Sequence, residues 1–361
     1  MSSKKDNYYL NQALNLAKDI NGLTGSNPAV GALIVKNDEI LSLGKTGFNG
    51  RPHAEFNAIH SCSKKNLEGS TLYVTLEPCT HFGKTPPCTD LILRSKISKV
   101  VYGSLDVDMR TANKANKILN KNKIKVKYVK QKKIENFYKP YKFQKKNNKP
   151  FITGKIACSK DNYIFYDKFK YITNIYSRKF AHILRYRNEA LLISYKTINM
   201  DNPILDCRLN GLRKFSPKII VLDKNLKTRT SSNILKNAKN LKTIFFYAFA
   251  NKKKIKLFKS KKAILIKMKV NNRNNFGLDS LAKKIYKLGI SHILLEGGKH
   301  LTEEFLNNGL INEFYLIKSE ILLKNSGKYK INKILNKLPK FFASKSYINT
   351  FVDKNKIIRY F

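Results

Sequence analysis

Residues 53–88 read HAEFNAIHSCSKKNLEGSTLYVTLEPCTHFGKTPPC, and the rest of the chain is best understood outward from them. His53, Cys79 and Cys88 are soft donors of the kind zinc prefers, and three protein ligands leave a tetrahedral ion one position for water. Glu55 stands two residues from the histidine without being needed as a ligand, so it is available to carry protons. The Gly-rich run GKTGFNGR gives way to a helical pattern at about Pro52, which suits a first helical turn and puts His53 and Glu55 at a helix start. TLYVTL (71–76) is β-branched and aromatic and reads as a strand, and CTDLILRS (88–95) reads as a helix beginning at Cys88. Thiolates at such helix starts gain about 0.3–1 kcal/mol from the backbone dipoles.

Upstream, Tyr9, Ala13, Leu16, Ala17 and Ile20 recur at helical spacing and predict an amphipathic helix. GALIVK (31–36) and EILSLG (39–44) predict a hairpin turned at Asn37-Asp38. Downstream come the strand KVVYGS (99–104), a helical run from about Thr111 to Asn120, and the strand IKVKYVK (124–130). This order implies a three-layer α/β sandwich. Residues 130–149 read as a short helix plus a linker, so domains are expected over 1–148 and 149–361. The second is again α/β, with strands PFITGKIACS, EALLISY, KIIVLD, TIFFYAFA, KAILIKM and SHILLE, helices RKFAHILRYRNE, LDSLAKKIYKLG and LTEEFLNNG, a turn at MDNP, and strands after Phe314 that close the sheet.

A chain of 361 residues is long enough for two such domains. No apolar run approaches the roughly 20 residues that span a bilayer, and MSSKKDNYYLNQ lacks the apolar segment of a secretory signal, so a soluble cytoplasmic protein without a membrane partner is expected. Lys+Arg of 71 against Asp+Glu of 24 gives a net charge of +47, which raises the question of a nucleic-acid partner. The lysines are strewn along the chain in KK, KN and NK pairs, which points to a compositional bias that phosphorylated substrates would still exploit. Five cysteines do not make a disulfide framework here, and Cys62, Cys158 and Cys207 read as small apolar residues.

A His-x-Glu followed by two cysteines is the ligand and proton-carrier set of zinc nucleobase deaminases, which usually hold the cysteines two residues apart. Here Thr80 to Pro87 intervene. That longer loop, in LEPCTHFGKTPPC, together with HAE (53–55) and SNPAVGALIV (26–35), resembles the RibD family of bifunctional riboflavin-biosynthesis deaminase/reductases. The resemblance implies a cytidine-deaminase-like three-layer α/β/α domain followed by a dihydrofolate-reductase-like α/β domain. It implies hydrolytic deamination of a diaminopyrimidinone carrying a ribosylamino 5′-phosphate, then NADPH-dependent reduction of the ribosyl chain. Zinc would be held by His53, Cys79 and Cys88, Glu55 would be the proton carrier, and Asn27 would belong to the pyrimidine wall.

In the second domain GKIACSKDN, ITN, HILRYRNEALLISYKT, DNPILDCR and LLEGG resemble the family's reductase module. By that resemblance Tyr171, Thr197, Asp201 and Gly298 are cofactor-binding positions, and Arg185, Leu205, Arg208 and Glu296 are substrate-binding ones. Two arginines suit a phosphate because the guanidinium fork matches its oxygens. Tyr171 stands for a usual tryptophan, Asn162 for a glycine and Phe169 for a small polar residue. A homodimer is implied by the family, and no specific nucleic acid. Two rival readings are a deaminase with an inactive reductase-like half, and a basic nucleic-acid binder on a deaminase scaffold, which would show steep salt dependence.

Overall fold

The computed structural model describes residues 2–166 and 171–361. Phe169 therefore lies outside the described residues. The chain divides into two compact units, Met1–Lys149 and Pro150–Phe361. The first runs α1 (Ser2–Ile20), β1 (Gly31–Lys36), β2 (Glu39–Lys45), α2 (Ala54–His60), α3 (Lys64–Leu67), β3 (Thr71–Val74), α4 (Cys88–Arg94), β4 (Lys99–Tyr102), α5 (Ala115–Lys121), β5 (Lys125–Tyr128) and α6 (Lys132–Asn147). The strands lie in the order β2-β1-β3-β4-β5. β1 is antiparallel to both its neighbours, and β3, β4 and β5 are parallel. Asn37 and Asp38 take φ of +50° and +65°, as a tight two-residue hairpin turn demands.

Two glycines place the layers. A methyl group on Gly31 would collide with the Ala13 carbonyl of α1, and one on Gly44 with the Ala54 carbonyl and the Ala58 nitrogen of α2. Gly44 is registered opposite Ala32, the next residue after Gly31. Cross-strand partners share a face and successive residues alternate, so α1 and α2 cover opposite faces of the sheet. Gly31 to Val35 are accordingly all buried.

The segment expected to be a short helix plus linker is instead a 16-residue helix, α6. Its buried Ile134, Tyr138 and Tyr141 follow helical spacing. The Tyr138 hydroxyl lies 2.6 Å from Thr75 Oγ1 and 3.0 Å from the Ala29 carbonyl, which ties the helix to the sheet. Asn148, at φ +53°, ends it.

The second unit runs β6 (Phe151–Cys158), β7 (Tyr163–Tyr166), α7 (Ile175–Tyr186), β8 (Ala190–Ser194), α8 (Tyr195–Asp201), β9 (Lys218–Leu222), α9 (Asn233–Lys236), β10 (Ile244–Tyr247), α10 (Lys252–Ser260) and β11 (Ile264–Lys267). It continues α11 (Leu278–Lys287), β12 (His292–Leu295), α12 (Lys299–Asn307), β13 (Glu313–Lys318), β14 (Gly327–Lys330), α13 (Asn332–Phe341), β15 (Lys345–Tyr347) and β16 (Lys356–Tyr360). A nine-stranded sheet has the order β11-β10-β9-β8-β12-β6-β13-β16-β15, and β7 pairs with β14. The β13-β16 and β15-β16 pairs are antiparallel and the other pairs of the large sheet are parallel. The strands expected after Phe314 do close the sheet, with the unforeseen helix α13 among them. MDNP begins inside α8, so its first two residues end a helix before the chain turns. Asn162 takes φ +71°, a conformation asparagine tolerates better than most residues. No helix among the described residues is long and apolar enough to cross a membrane.

Gly44→Ala is expected to push α2 off β2. Overpacking of this kind costs roughly 1–3 kcal/mol, or roughly 2–12 °C of Tm in a domain of this size. Calorimetry and metal analysis on the purified protein check it, with zinc stoichiometry falling because α2 carries His53.

Candidate functional site

His53 is the N-cap of α2, Cys88 is the first residue of α4, and Cys79 lies in the segment that leaves β3. The fold brings their donor atoms within 4.8 Å of one another. His53 Nδ1 is 3.3 Å from Cys88 Sγ and 3.6 Å from Cys79 Sγ. A tetrahedral zinc with bonds of about 2.0 Å to nitrogen and about 2.3 Å to sulfur requires an N···S edge of about 3.6 Å. The donor set and its spacing therefore fit zinc.

The Cys88 N–H donates to Cys79 Sγ at 3.2 Å. Hydrogen bonding from the Cys88 thiol, helped by His53 and this N–H, outweighs burial and brings the Cys79 thiol down to about 4. The same shared proton, with burial, pushes the Cys88 thiol well up. Its remaining proton must leave when a cation binds. Glu55 is buried at 4% exposure, and burial raises its carboxyl to about 7.

His53, Glu55 and Cys79 line a cavity of about 460 Å³ that also takes in Asn27, His81 and Lys84. Asn27 Nδ2 donates to the Gly50 carbonyl at 2.9 Å, which fixes the loop beneath it. The opposite wall depends on Glu77, a residue the sequence reading passed over. Its buried carboxylate accepts the N–H groups of Asp106 (3.2 Å), Asn113 (3.1 Å) and Ala115 (3.1 Å). By capturing those amides it delays α5 to Ala115, later than the expected start near Thr111. Asp106 Oδ1 in turn accepts from the Tyr141 hydroxyl at 2.9 Å and the Asp108 N–H at 3.0 Å. Asp108 is bonded by Arg110 and lies 3.2 Å from Lys145 Nζ, and these cations hold its carboxyl far below the usual range. Tyr141 and Lys145 belong to α6, so the supposed linker builds part of the cavity.

In the second unit β8, β12 and β6 are parallel neighbours, so their C-terminal ends meet at one sheet edge. α8 follows β8 directly and presents Thr197 and, one turn on, Asp201. Gly298, the N-cap of α12, stands beside them: a Cβ there would lie 3.8 Å from Thr197 Oγ1. This glycine leaves room for a ligand's phosphate at a helix start, which fits a dinucleotide cofactor. Tyr171 has a different setting, 45% exposed with the Arg178 guanidinium 4.3 Å from its ring centroid.

Glu296 follows β12 and is forked by Arg185 at 2.7 and 3.0 Å, with Lys155 Nζ at 3.0 Å. Arg185 Nη1 also donates to the Asp206 carbonyl at 3.1 Å, and Arg208 Nε lies 3.3 Å from Asp206 Oδ1. Leu205, between them in sequence and α8, is buried at φ +62°, an uncommon and costly setting for a residue with a side chain. Of the four expected substrate residues, Arg185 and Glu296 are bonded to each other, and Asp206, next to Leu205 in sequence, links Arg185 to Arg208. Arg185 gives three of its five N–H groups to Glu296 and Asp206 and is 11% exposed, whereas Arg208 is 49% exposed. Lys155 was legible as a lone charge within the apolar strand FITGKIAC.

A His/Cys/Cys donor triangle with a buried glutamate, on an α/β/α unit joined to a second α/β unit, defines a zinc-deaminase centre fused to a further catalytic domain. Residues 3–104 match the cytidine and deoxycytidylate deaminase zinc-binding region, and residues 150–324 match the RibD C-terminal domain. The riboflavin biosynthesis protein RibD of Aquifex aeolicus is 36% identical over 310 residues, 85% of each chain. That of Bacillus amyloliquefaciens is 31% identical over 322 residues, 88% of this chain and 85% of its own. Acinetobacter baumannii RibD superposes with a TM-score of 0.83 at 25% identity, covering 100% of this chain and 99% of that one. A Thermotoga maritima diaminohydroxyphosphoribosylaminopyrimidine deaminase/5-amino-6-(5-phosphoribosylamino)uracil reductase gives 0.81 at 27% identity, with 99% of both chains covered. The chain belongs to the RibD family.

The buried ion cluster carries a pH prediction. Burial alone would raise the Glu296 carboxyl, but Arg185 and Lys155 overcome it and hold the group well below its ordinary value. A depressed carboxyl contributes stability above its unfolded pKa of about 4.3 that is lost as pH falls. Glu296→Gln, which leaves two cations uncompensated, is expected to cost about 3–5 kcal/mol near neutral pH. Denaturant titrations at several pH values should show the gap to wild type closing below about pH 4.

Proposed function

We infer that the chain is a bifunctional riboflavin-biosynthesis enzyme. Residues 1–148 deaminate 2,5-diamino-6-ribosylamino-4(3H)-pyrimidinone 5′-phosphate, and residues 149–361 reduce the ribosyl side chain of the product with NADPH. The observation that carries the reading is the zinc-sized triangle of His53, Cys79 and Cys88 beside a buried Glu55, on a chain whose second half matches the RibD reductase domain.

His53, Cys79 and Cys88 would hold zinc, which would supply Lewis-acid activation of water near neutral pH. Glu55 takes a proton from the attacking water and passes it to the ring nitrogen, then takes the proton of the added hydroxyl and gives it to the departing amine, so that the C–N bond breaks, ammonia leaves and a carbonyl remains on the ring. Asn27 holds the pyrimidine edge. In the second unit, the amides at Gly298 and the Thr197 hydroxyl would hold the cofactor phosphates, with Asp201 one turn on from Thr197 along the same helix; Tyr171, apart from these, is the remaining cofactor position. NADPH supplies the hydride when bound. Arg208 meets the substrate phosphate, and Glu296, kept ionised by Arg185, accepts from sugar hydroxyls over Leu205.

The test follows ammonia release and NADPH oxidation together on the amino pyrimidine. Wild type should give both, and a zinc chelator should stop both. Glu55→Gln should keep its zinc, lose ammonia release by about 10²–10⁴-fold, and still oxidise NADPH when given the deaminated substrate. Unchanged deamination in that variant would remove Glu55 from the role assigned to it, and failure to bind NADPH would leave the deaminase alone.

A further inference from the structure

His81 lines the deaminase cavity, and its ring is held from one side only. Its Nδ1 lies 3.0 Å from the hydroxyl oxygen of Thr111. That hydroxyl also accepts a long bond from the Thr80 N–H at 3.5 Å. Thr111 is fully buried, at 0% exposure, and its place is set by backbone bonds on both sides: its own N–H donates to the Asp108 carbonyl at 2.8 Å, and the Asn113 N–H two residues on is captured by Glu77. A buried hydroxyl has to donate its proton somewhere. Among the hydrogen bonds of the described residues, His81 Nδ1 is the acceptor within its reach.

A Thr111 hydroxyl that donates to this nitrogen fixes the ring. When Nδ1 accepts, the neutral imidazole carries its proton on Nε2, so the free edge is a donor. Gly83 stands beside that edge, where a Cβ would make ordinary contact with Nε2 at 3.9 Å and with Arg51 Nη2 at 3.6 Å. No hydrogen bond to Nε2 occurs among the described residues, although the atom belongs to a residue that lines the cavity.

We propose that Thr111 is a positioning residue for deamination: it holds His81 with Nε2–H turned into the cavity, where it donates to an oxygen of the bound pyrimidine. The proposal rests on the deaminase reading of the cavity. It deepens that reading by assigning His81 as a donor and by giving the segment after Asp106 a function in orienting it.

The experiment uses the full-length chain with zinc bound. Thr111→Val keeps the shape and removes the hydroxyl, and Thr111→Ser restores it. A neutral hydrogen bond contributes about 0.5–1.5 kcal/mol, or roughly two- to twelvefold in an equilibrium. Thr111→Val should therefore raise KM for the amino pyrimidine by roughly that factor, with kcat little changed and zinc content and Tm as in wild type. Thr111→Ser should recover wild-type KM. In ¹⁵N-histidine spectra the His81 ring should be the Nε2-protonated tautomer in wild type and lose that preference in Thr111→Val. In a His81→Ala background Thr111→Val should have no further effect. A wild-type KM in Thr111→Val, or an equal effect of that substitution without His81, overturns the proposal. Absence of ammonia release by wild type itself would instead overturn the deaminase reading.

Discussion

The approach of a helix to a sheet at backbone distance is the constraint on which the metal centre depends. Gly44 allows it, because any side chain there would enter the backbone of α2. His53 caps that helix and Glu55 lies in its first turn, so the seating of one helix sets both the nitrogen ligand and the proton carrier. Cys88 depends in the same way on where α4 begins, and Cys79 on where β3 ends. Three separate elements must each stop within a fraction of an ångström of the right place for the donors to meet.

Both units place buried carboxylates where backbone or cationic donors converge, and the two solutions differ. Glu77 is satisfied by amides, so it spends no charge partner and organises a loop. Glu296 is satisfied by Arg185 and Lys155, so it remains charged at a sheet edge where a polar ligand would bind. Amide satisfaction builds a rigid wall, whereas ionic satisfaction keeps a strong acceptor in a dry setting.

The chemistry of the first unit was legible because its residues are close in sequence and each sits at an element boundary with its own signal: proline before His53, a β-branched run before Cys79, a double proline before Cys88. The long inter-cysteine loop carried the family. Helix α6 was misread because lysines and asparagines dilute its apolar face, and only the spacing of Ile134, Tyr138 and Tyr141 betrays it. The start of α5 could not be read locally, since a carboxylate 36 residues before Asn113 sets it. In the second unit, Lys155, Arg185, Asp206 and Glu296 come from four segments that meet only because parallel strands end together. Composition and periodicity carry no record of that meeting, so Arg185 and Glu296 were assigned by resemblance and Lys155 and Asp206 were not assigned at all.

Helix α6 also bears on how such a chain can be taken apart. It contributes Tyr141 and Lys145 to the deaminase cavity, and only Asn148, Lys149 and Pro150 separate its last residue from the first strand of the next unit. A gene fission that left each half whole would have to fall within that three-residue joint. A break made in the lysine-rich stretch that looks most like a tether would send part of the cavity wall away with the wrong product.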